Sequence, residues 1–161
     1  MRKMLEAVSL AAFADMIWCT YRAFHGPNYL PDKISTHFNL AGQPDGWASP
    51  AMLLLLPVLA VALYLLITVV AQFPSAFNYP VRVTAANRPR LQALALEMIA
   101  WLKTELVCIL ALIQISTIAA AHRGNGGLPQ ALLPVSLVAV FGTISWHFVA
   151  MRRAARSGSG A

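Results

Sequence analysis

From Ala51 to Phe73 the chain runs for 23 residues without a charged side chain, and its one amide, Gln72, comes at the end. At 1.5 Å per residue a helix of that length is roughly 34 Å long, enough to cross the hydrocarbon core of a bilayer with some tilt. The remainder of the chain has the same character. Of its 161 residues 58% are apolar and 11% charged, whereas a water-soluble domain carries roughly a quarter charged residues. That is too little charge to cover a sphere in water, so lipid is the expected solvent for much of the surface. The net charge is +6, but the basic residues lie between the apolar runs and at the two ends. This fits contact with anionic headgroups and argues against nucleic acid as a partner, because no basic stripe is interleaved with stacking aromatics.

The spacing predicts an all-α, polytopic membrane protein: one membrane domain over residues 1–156, with four transmembrane helices and an ordered extracytoplasmic loop between the first two. The first span, about 4–23, starts behind Arg2 and Lys3, and Trp18, Tyr21 and Phe24 form an aromatic belt toward its far end. A cleavable signal peptide competes with this reading, since Ala12-Phe13-Ala14 resembles a cleavage site. Glu6 interrupts the apolar run, however, and Met16-Ile17-Trp18 continue it past that site, which favours an uncleaved span. His25-Gly26-Pro27-Asn28 ends the helix. The second span, 51–73, begins with Ser49 as N-cap and Pro50 at the first helical position. Pro57 kinks it near its start, and a neighbouring helix must satisfy the carbonyl that this proline leaves free.

Residues 74–90 make a basic connection. Leu91 to Ala121 are helical in pattern but too long for one upright span. Gln92, Glu97, Lys103 and Glu105 make the first part amphipathic, which predicts an interfacial opening that runs into a tilted third span at about 100–121. His122 to Gly127 form a turn, the fourth span covers about 130–151, and residues 157–161 are a flexible tail. Eight basic residues (Arg2, Lys3, Arg82, Arg88, Arg90, Arg152, Arg153 and Arg156) fall on one side of this topology and three (Arg22, Lys33 and Arg123) on the other. The positive-inside rule then puts both termini in the cytoplasm.

The loop at 24–49 is 26 residues long, and loops of that length in a compact bundle tend to be functional or disordered. Leu30, Ile34, Phe38, Leu40 and Trp47 offer apolar anchors, which argues for order. Ala41-Gly42 and Asp45-Gly46 are turn signals, and Pro31 and Pro44 restrict the residues before them. The expectation is a compact loop on the membrane surface with little regular structure.

Leu30-Pro31, Ile34, His37-Phe38-Asn39, Gly42 and Pro44-Asp45-Gly46-Trp47 together resemble the signature of the domain of unknown function 1648. Its usual pattern is Leu-Pro-x-x-Ile-Pro-x-His-Phe-Asn followed by x-x-Gly-x-Pro-Asp-Gly, and Ser35 stands here where proline is common. The resemblance covers about residues 4–73. It implies a small integral protein of the bacterial cytoplasmic (plasma) membrane. It also extends to the N-terminal part of immunity proteins of the SdpI type, but no second region of further spans follows here. The resemblance brings no general biochemical activity with it.

Several polar groups are candidate sites. Pro31, His37, Phe38, Asn39, Gly42, Pro44, Asp45, Gly46 and Trp47 form the motif loop, which could recognise a ligand or partner. The plainer reading is loop architecture, with Asn39 and Asp45 bonding nearby backbone, His37 bonding a carbonyl, and Phe38 and Trp47 dipping into the interface. His37 and Asp45 fall short of the three or four ligands a transition metal needs, so no metal or other cofactor is expected. Asp15 and Gln114 are intramembrane polar residues at similar depth, and a hydrogen bond between them would serve either a relay or packing. Glu6, Lys103, Glu105 and His147 read as snorkelling side chains near the cytoplasmic helix ends; Lys103 and Glu105, two apart, do not share a helix face. Cys19 and Cys108 lie in apolar runs and read as packing residues. Nucleophile, phosphate-loop and paired-carboxylate motifs are absent from the sequence.

The expected function is therefore non-enzymatic: a module that recognises a membrane protein or extracytoplasmic peptide, or supports a membrane complex, with homo-oligomerisation left open. The alternatives are a transporter-like or permease-like subunit using Asp15 and Gln114, or an immunity or signalling protein.

Overall fold

The computed structural model describes residues 1–27, 30–124 and 127–157. Asn28 of the helix-ending cluster, Asn125 and Gly126 of the expected turn, and residues 158–161 of the expected tail lie outside the described residues. Among the described residues the elements are α1 (Arg2–His25), β1 (Ile34–Phe38), β2 (Pro44–Ala48), α2 (Leu55–Val70), α3 (Arg88–His122) and α4 (Leu132–Ser157), with short 3-10 turns at Pro50–Leu54 and Pro74–Ala76. Four helices are long and apolar enough to cross a membrane.

α1 stops at His25, where Gly26 donates its N–H to the Arg22 carbonyl at 2.8 Å and Pro27 follows. The second apolar run enters differently from expectation. Ser49 occupies the N-cap position and Pro50 the first turn, but the Ser49 side chain makes no capping bond and the first five residues wind as a 3-10 helix. Pro57 is the third residue of the α-helix proper. α3 is a single 35-residue helix, about 52 Å long, and it is the axis of the molecule: α1, α2 and α4 all pack on it. The N-terminal end of α3 is tied to the connection before it, where Asn87 Oδ1 accepts the Thr84 N–H at 2.8 Å and Asn87 Nδ2 donates to the Arg82 carbonyl.

Three apolar clusters run along this axis. Leu91, Ala95, Met151 and Ala154 lie at one end, covered by Phe77, Tyr79 and Val81 of the connecting segment. Met16, Ala60, Leu110 and Ala111 form the middle. Ala23, Ile34, Leu53, Ile118 and Ala121 form the far end. Alanines recur where helices meet, and small side chains allow the close approach on which packing in lipid depends. The outward faces of α2 and α4 stay apolar, with Val58 at 66% and Val138 at 74% exposure. In water such faces would be a liability; they suit a multi-pass membrane protein.

The loop between α1 and α2 departs from the expectation of little regular structure, and the fold is not purely helical. β1 and β2 pair antiparallel, Ile34 with Ala48 and Phe38 with Pro44, and two irregularities interrupt the register, one at Thr36 and one at Asp45.

Candidate functional site

The hairpin lies over one end of the bundle and is fixed there at two points. Ile34, 1% exposed, is its root and packs among Ala23, Leu53, Ile118 and Ala121, with Leu30 beside it. The tip docks through backbone: Leu128 N–H donates to the Gly42 carbonyl at 2.9 Å. This contact leaves no room for side chains. A Cβ on Gly42 would lie 2.6 Å from the Leu128 oxygen, and Gly42 has φ +74°, a conformation that glycine adopts freely. A Cβ on Gly127 would lie 2.2 Å from the Gly42 oxygen.

Asn39 closes the turn. Its Oδ1 accepts the N–H groups of Ala41 and Gln43, both at 3.0 Å, while its own N–H donates to the Gln43 carbonyl at 2.9 Å. This is the self-bonding that makes asparagine a turn former, and it agrees with the architectural reading of Asn39. The Ala41-Gly42 turn also stands. Asp45-Gly46, by contrast, lies within β2. The irregularity at Asp45 re-aims its side chain, as bulges do, and Asp45 Oδ1 meets His37 Nδ1 at 2.5 Å. His37 therefore bonds a carboxylate and not the carbonyl expected. Gly46 stands opposite His37 and makes space for it, since a Cβ there would come within 2.9 Å of the His37 Cβ.

Of the apolar residues expected to anchor the loop, Leu30, Ile34 and Phe38 pack inward. Phe38 faces a small apolar cavity beside Ile109, Ile113, Leu132 and Leu133. Leu40 and Trp47 are left uncovered by the rest of the protein, at 88% and 57% exposure. Pro31, Lys33, Ser35 and Trp47 line a polar cleft against His122 at the end of α3. Pro44 begins β2 opposite Phe38, where a missing N–H is tolerated at an edge.

The intramembrane pair Asp15 and Gln114 does not form. Gln114 is fully buried, and its Nε2 donates to Thr20 Oγ1 and to the Leu53 carbonyl, both at 2.8 Å. Asp15 is exposed on the outer face of α1, where Cys19 Sγ donates to its Oδ1 at 3.8 Å. Equal depth on two helices does not place two residues on facing sides. Met16 and Thr20, one turn apart, are on the face of α1 that meets α3.

Lys103 and Glu105 diverge, as their spacing requires. Lys103, 5% exposed, donates to Glu6 Oε1 at 2.5 Å and to Thr68 Oγ1 at 3.2 Å, and its ammonium lies 4.3 Å from the centre of the Tyr64 ring. Tyr64 OH donates to Glu6 Oε2. A cluster around one buried lysine thus joins three helices, where snorkelling pairs had been expected. Sequence reasoning missed Tyr64 and Thr68; the available signal was their four-residue spacing on one face of α2. Glu105 turns to α4, where Thr143 Oγ1 donates to its Oε1. Cys19 and Cys108 are both free thiols.

Residues 22–61 match the family model of DUF1648, a domain of unknown function. The matched stretch begins in the last turn of α1, takes in the whole hairpin and ends in α2, so it coincides with the loop that carries the resemblance. Comparison with curated proteins and with solved structures returns no match.

Proposed function

We propose that this is a non-enzymatic, multi-pass protein of a bacterial cytoplasmic membrane. Both termini lie in the cytoplasm, and the hairpin on the outer face recognises an extracytoplasmic peptide or membrane-protein partner. The eight-to-three division of basic residues supports that orientation. The hairpin lies beside the α3–α4 connection, which puts both segments at one end of the bundle, as a four-span chain requires.

One observation carries the recognition reading. The hairpin backbone is held by Ile34, Asn39 and glycine contacts that admit no side chain, yet Leu40 and Trp47 project from it uncovered. A rigid loop that exposes an aromatic and an aliphatic side chain loses little entropy on binding, and such residues anchor interfaces. The transporter-like alternative cannot use an Asp15–Gln114 contact, because Gln114 is occupied by Leu53 and Thr20.

The test is crosslinking in intact cells followed by purification in mild detergent, comparing the parent chain with a Leu40→Ser/Trp47→Ser variant. The reading expects a specific co-purifying partner that disappears in the variant while the protein remains inserted and monodisperse. Recovery of the same partners by both chains would remove the hairpin from the function.

A further inference from the structure

In the half of the bundle remote from the hairpin, α3 and α4 part to leave an open cleft of about 350 Å³, lined by Glu97, Trp101, Gly142, Thr143, Trp146 and His147, with Met1 at its rim. Glu97, Trp101 and Glu105 recur every four residues and so share one face of α3. Gly142 adds no side chain to the cleft, and a Cβ there would stand in open space with nothing within 4 Å.

The two titratable side chains in the lining, Glu97 and His147, bring acceptors to the cleft. His147 is 4% exposed, and its Nδ1 lies 2.9 Å from the Thr143 carbonyl. A carbonyl only accepts, so Nδ1 carries the proton, and in the neutral ring Nε2 keeps an unshared pair. Nε2 has no hydrogen-bond partner among the described residues. Behind the lining, Thr143 has spent its hydroxyl proton on Glu105 Oε1, and Glu105 Oε2 is buried without a partner. Glu97 is half-buried at the mouth, and neither glutamate has an ion-pair partner among the described residues. Lys103, on the same helix, is committed to Glu6 on the other side. Arg90 and Arg153 line an adjoining hollow that shares Trp146.

We propose that this cleft binds a primary ammonium group, carried by a lipid ethanolamine headgroup or by a free small amine. Unspent acceptors at His147 and Glu97 call for a donor, and the Glu97 carboxylate in the lining, with Glu105 behind it, calls for a positive charge. Two indole rings flank the space, and indole faces attract organic cations. A transition-metal ion fits poorly, since no three metal-ligating side chains converge among the described residues.

The experiment uses the full chain in phosphatidylcholine nanodiscs, in a Trp18→Phe/Trp47→Phe background, so that Trp101 and Trp146 report. Butylammonium and the uncharged butanol are titrated separately. In a second arm, nanodiscs mixing phosphatidylethanolamine with phosphatidylglycerol are used, and the retained lipid is identified by native mass spectrometry. The proposal expects saturable fluorescence change with butylammonium and none with butanol, preferential retention of phosphatidylethanolamine, or both. A response in the first arm alone assigns the site to a soluble amine, and retention in the second arm assigns it to the headgroup. Glu97→Gln should weaken the effect about tenfold, and Gly142→Leu, which fills the cleft without changing a charge, should abolish it. No response in either arm overturns the proposal, as does a response that Glu97→Gln and Gly142→Leu leave unchanged.

Discussion

The side-chain amide of Gln114 donates to the carbonyl of Leu53 at 2.8 Å. Leu53 lies four residues before Pro57, so this is the carbonyl that the proline cannot serve. α3 thereby supplies the hydrogen bond that α2 cannot make for itself, and the same amide reaches Thr20 on α1. One buried side chain joins three helices at the point where the hairpin is rooted.

Gln114→Leu should therefore destabilise the bundle by about 1–3 kcal/mol, the cost of leaving a buried acceptor unpaired. Pro57→Ala gives Leu53 an intrahelical N–H and should recover part of that loss in the double variant. Unfolding in mixed micelles checks this as a double-mutant cycle. Additive losses would show that the two residues do not share the carbonyl.

The ion pair between Lys103 and Glu6 is uneven, with side-chain exposures of 6% and 40%. Removing the exposed partner strands the buried one. Glu6→Leu leaves an ammonium inside the bundle and should cost about 3 kcal/mol, whereas Lys103→Leu leaves a carboxylate that still has Tyr64 and can turn outward, at about 1 kcal/mol. The double variant should be more stable than Glu6→Leu alone. Equal losses in the two single variants would mean that burial does not set the asymmetry.

What the sequence made legible follows from the kind of signal each feature leaves. Lipid-facing helices keep an apolar composition on every side, so four runs stood out without any periodicity argument. Ile34 was legible as an anchor and Asn39 as a turn closer, because each acts through its own chemistry. The hairpin was not. Its burial along β1 does not alternate, since bulges at Thr36 and Asp45 break the period of two by which strands are recognised. The facing of Asp15 was not legible either. In α1 apolar and polar residues are spread round the helix, so the pattern gives depth but not direction, and Thr20, on the correct face, looked unremarkable. Tyr64 and Thr68 were hidden in the same way within α2. Among the residues by which the loop resembles that domain, the glycines, the asparagine and the His37–Asp45 pair are ones that fix the hairpin's geometry.

Gly42→Ala should release the hairpin tip from the α3–α4 connection. The new Cβ meets the Leu128 oxygen, and the backbone there already has a positive φ. A loss of about 1–3 kcal/mol in local protection is expected, read as faster hydrogen exchange at the Leu128 amide while the helices keep theirs. Unchanged exchange at Leu128 would mean that the docking contact is not maintained.

Asp15 faces outward at the level of Met16, in the middle cluster of the bundle. A carboxylate facing lipid there costs about 2.5–3.5 kcal/mol on insertion scales. Asp15→Leu should then improve insertion of α1 and leave bundle stability intact, measured by a glycosylation-based insertion assay and by micelle unfolding. A marked loss of stability would mean that the carboxylate is used inside the bundle.

Sidedness can be read from two single cysteines placed in a Cys19→Ala/Cys108→Ala background. Gln43, exposed beside the hairpin tip, and Ser75, exposed between α2 and α3, lie on opposite sides of the proposed topology. A membrane-impermeant maleimide should label Gln43→Cys in intact cells within minutes and Ser75→Cys only after permeabilisation. The expectation rests on the eight-to-three division of basic residues, a bias that sets orientation through short connections such as these. Both positions are exposed, so failure to react cannot be put down to burial. If Ser75→Cys reacts first, the topology is inverted. The hairpin would then meet a cytoplasmic partner, and the ammonium cleft would open to the outer leaflet.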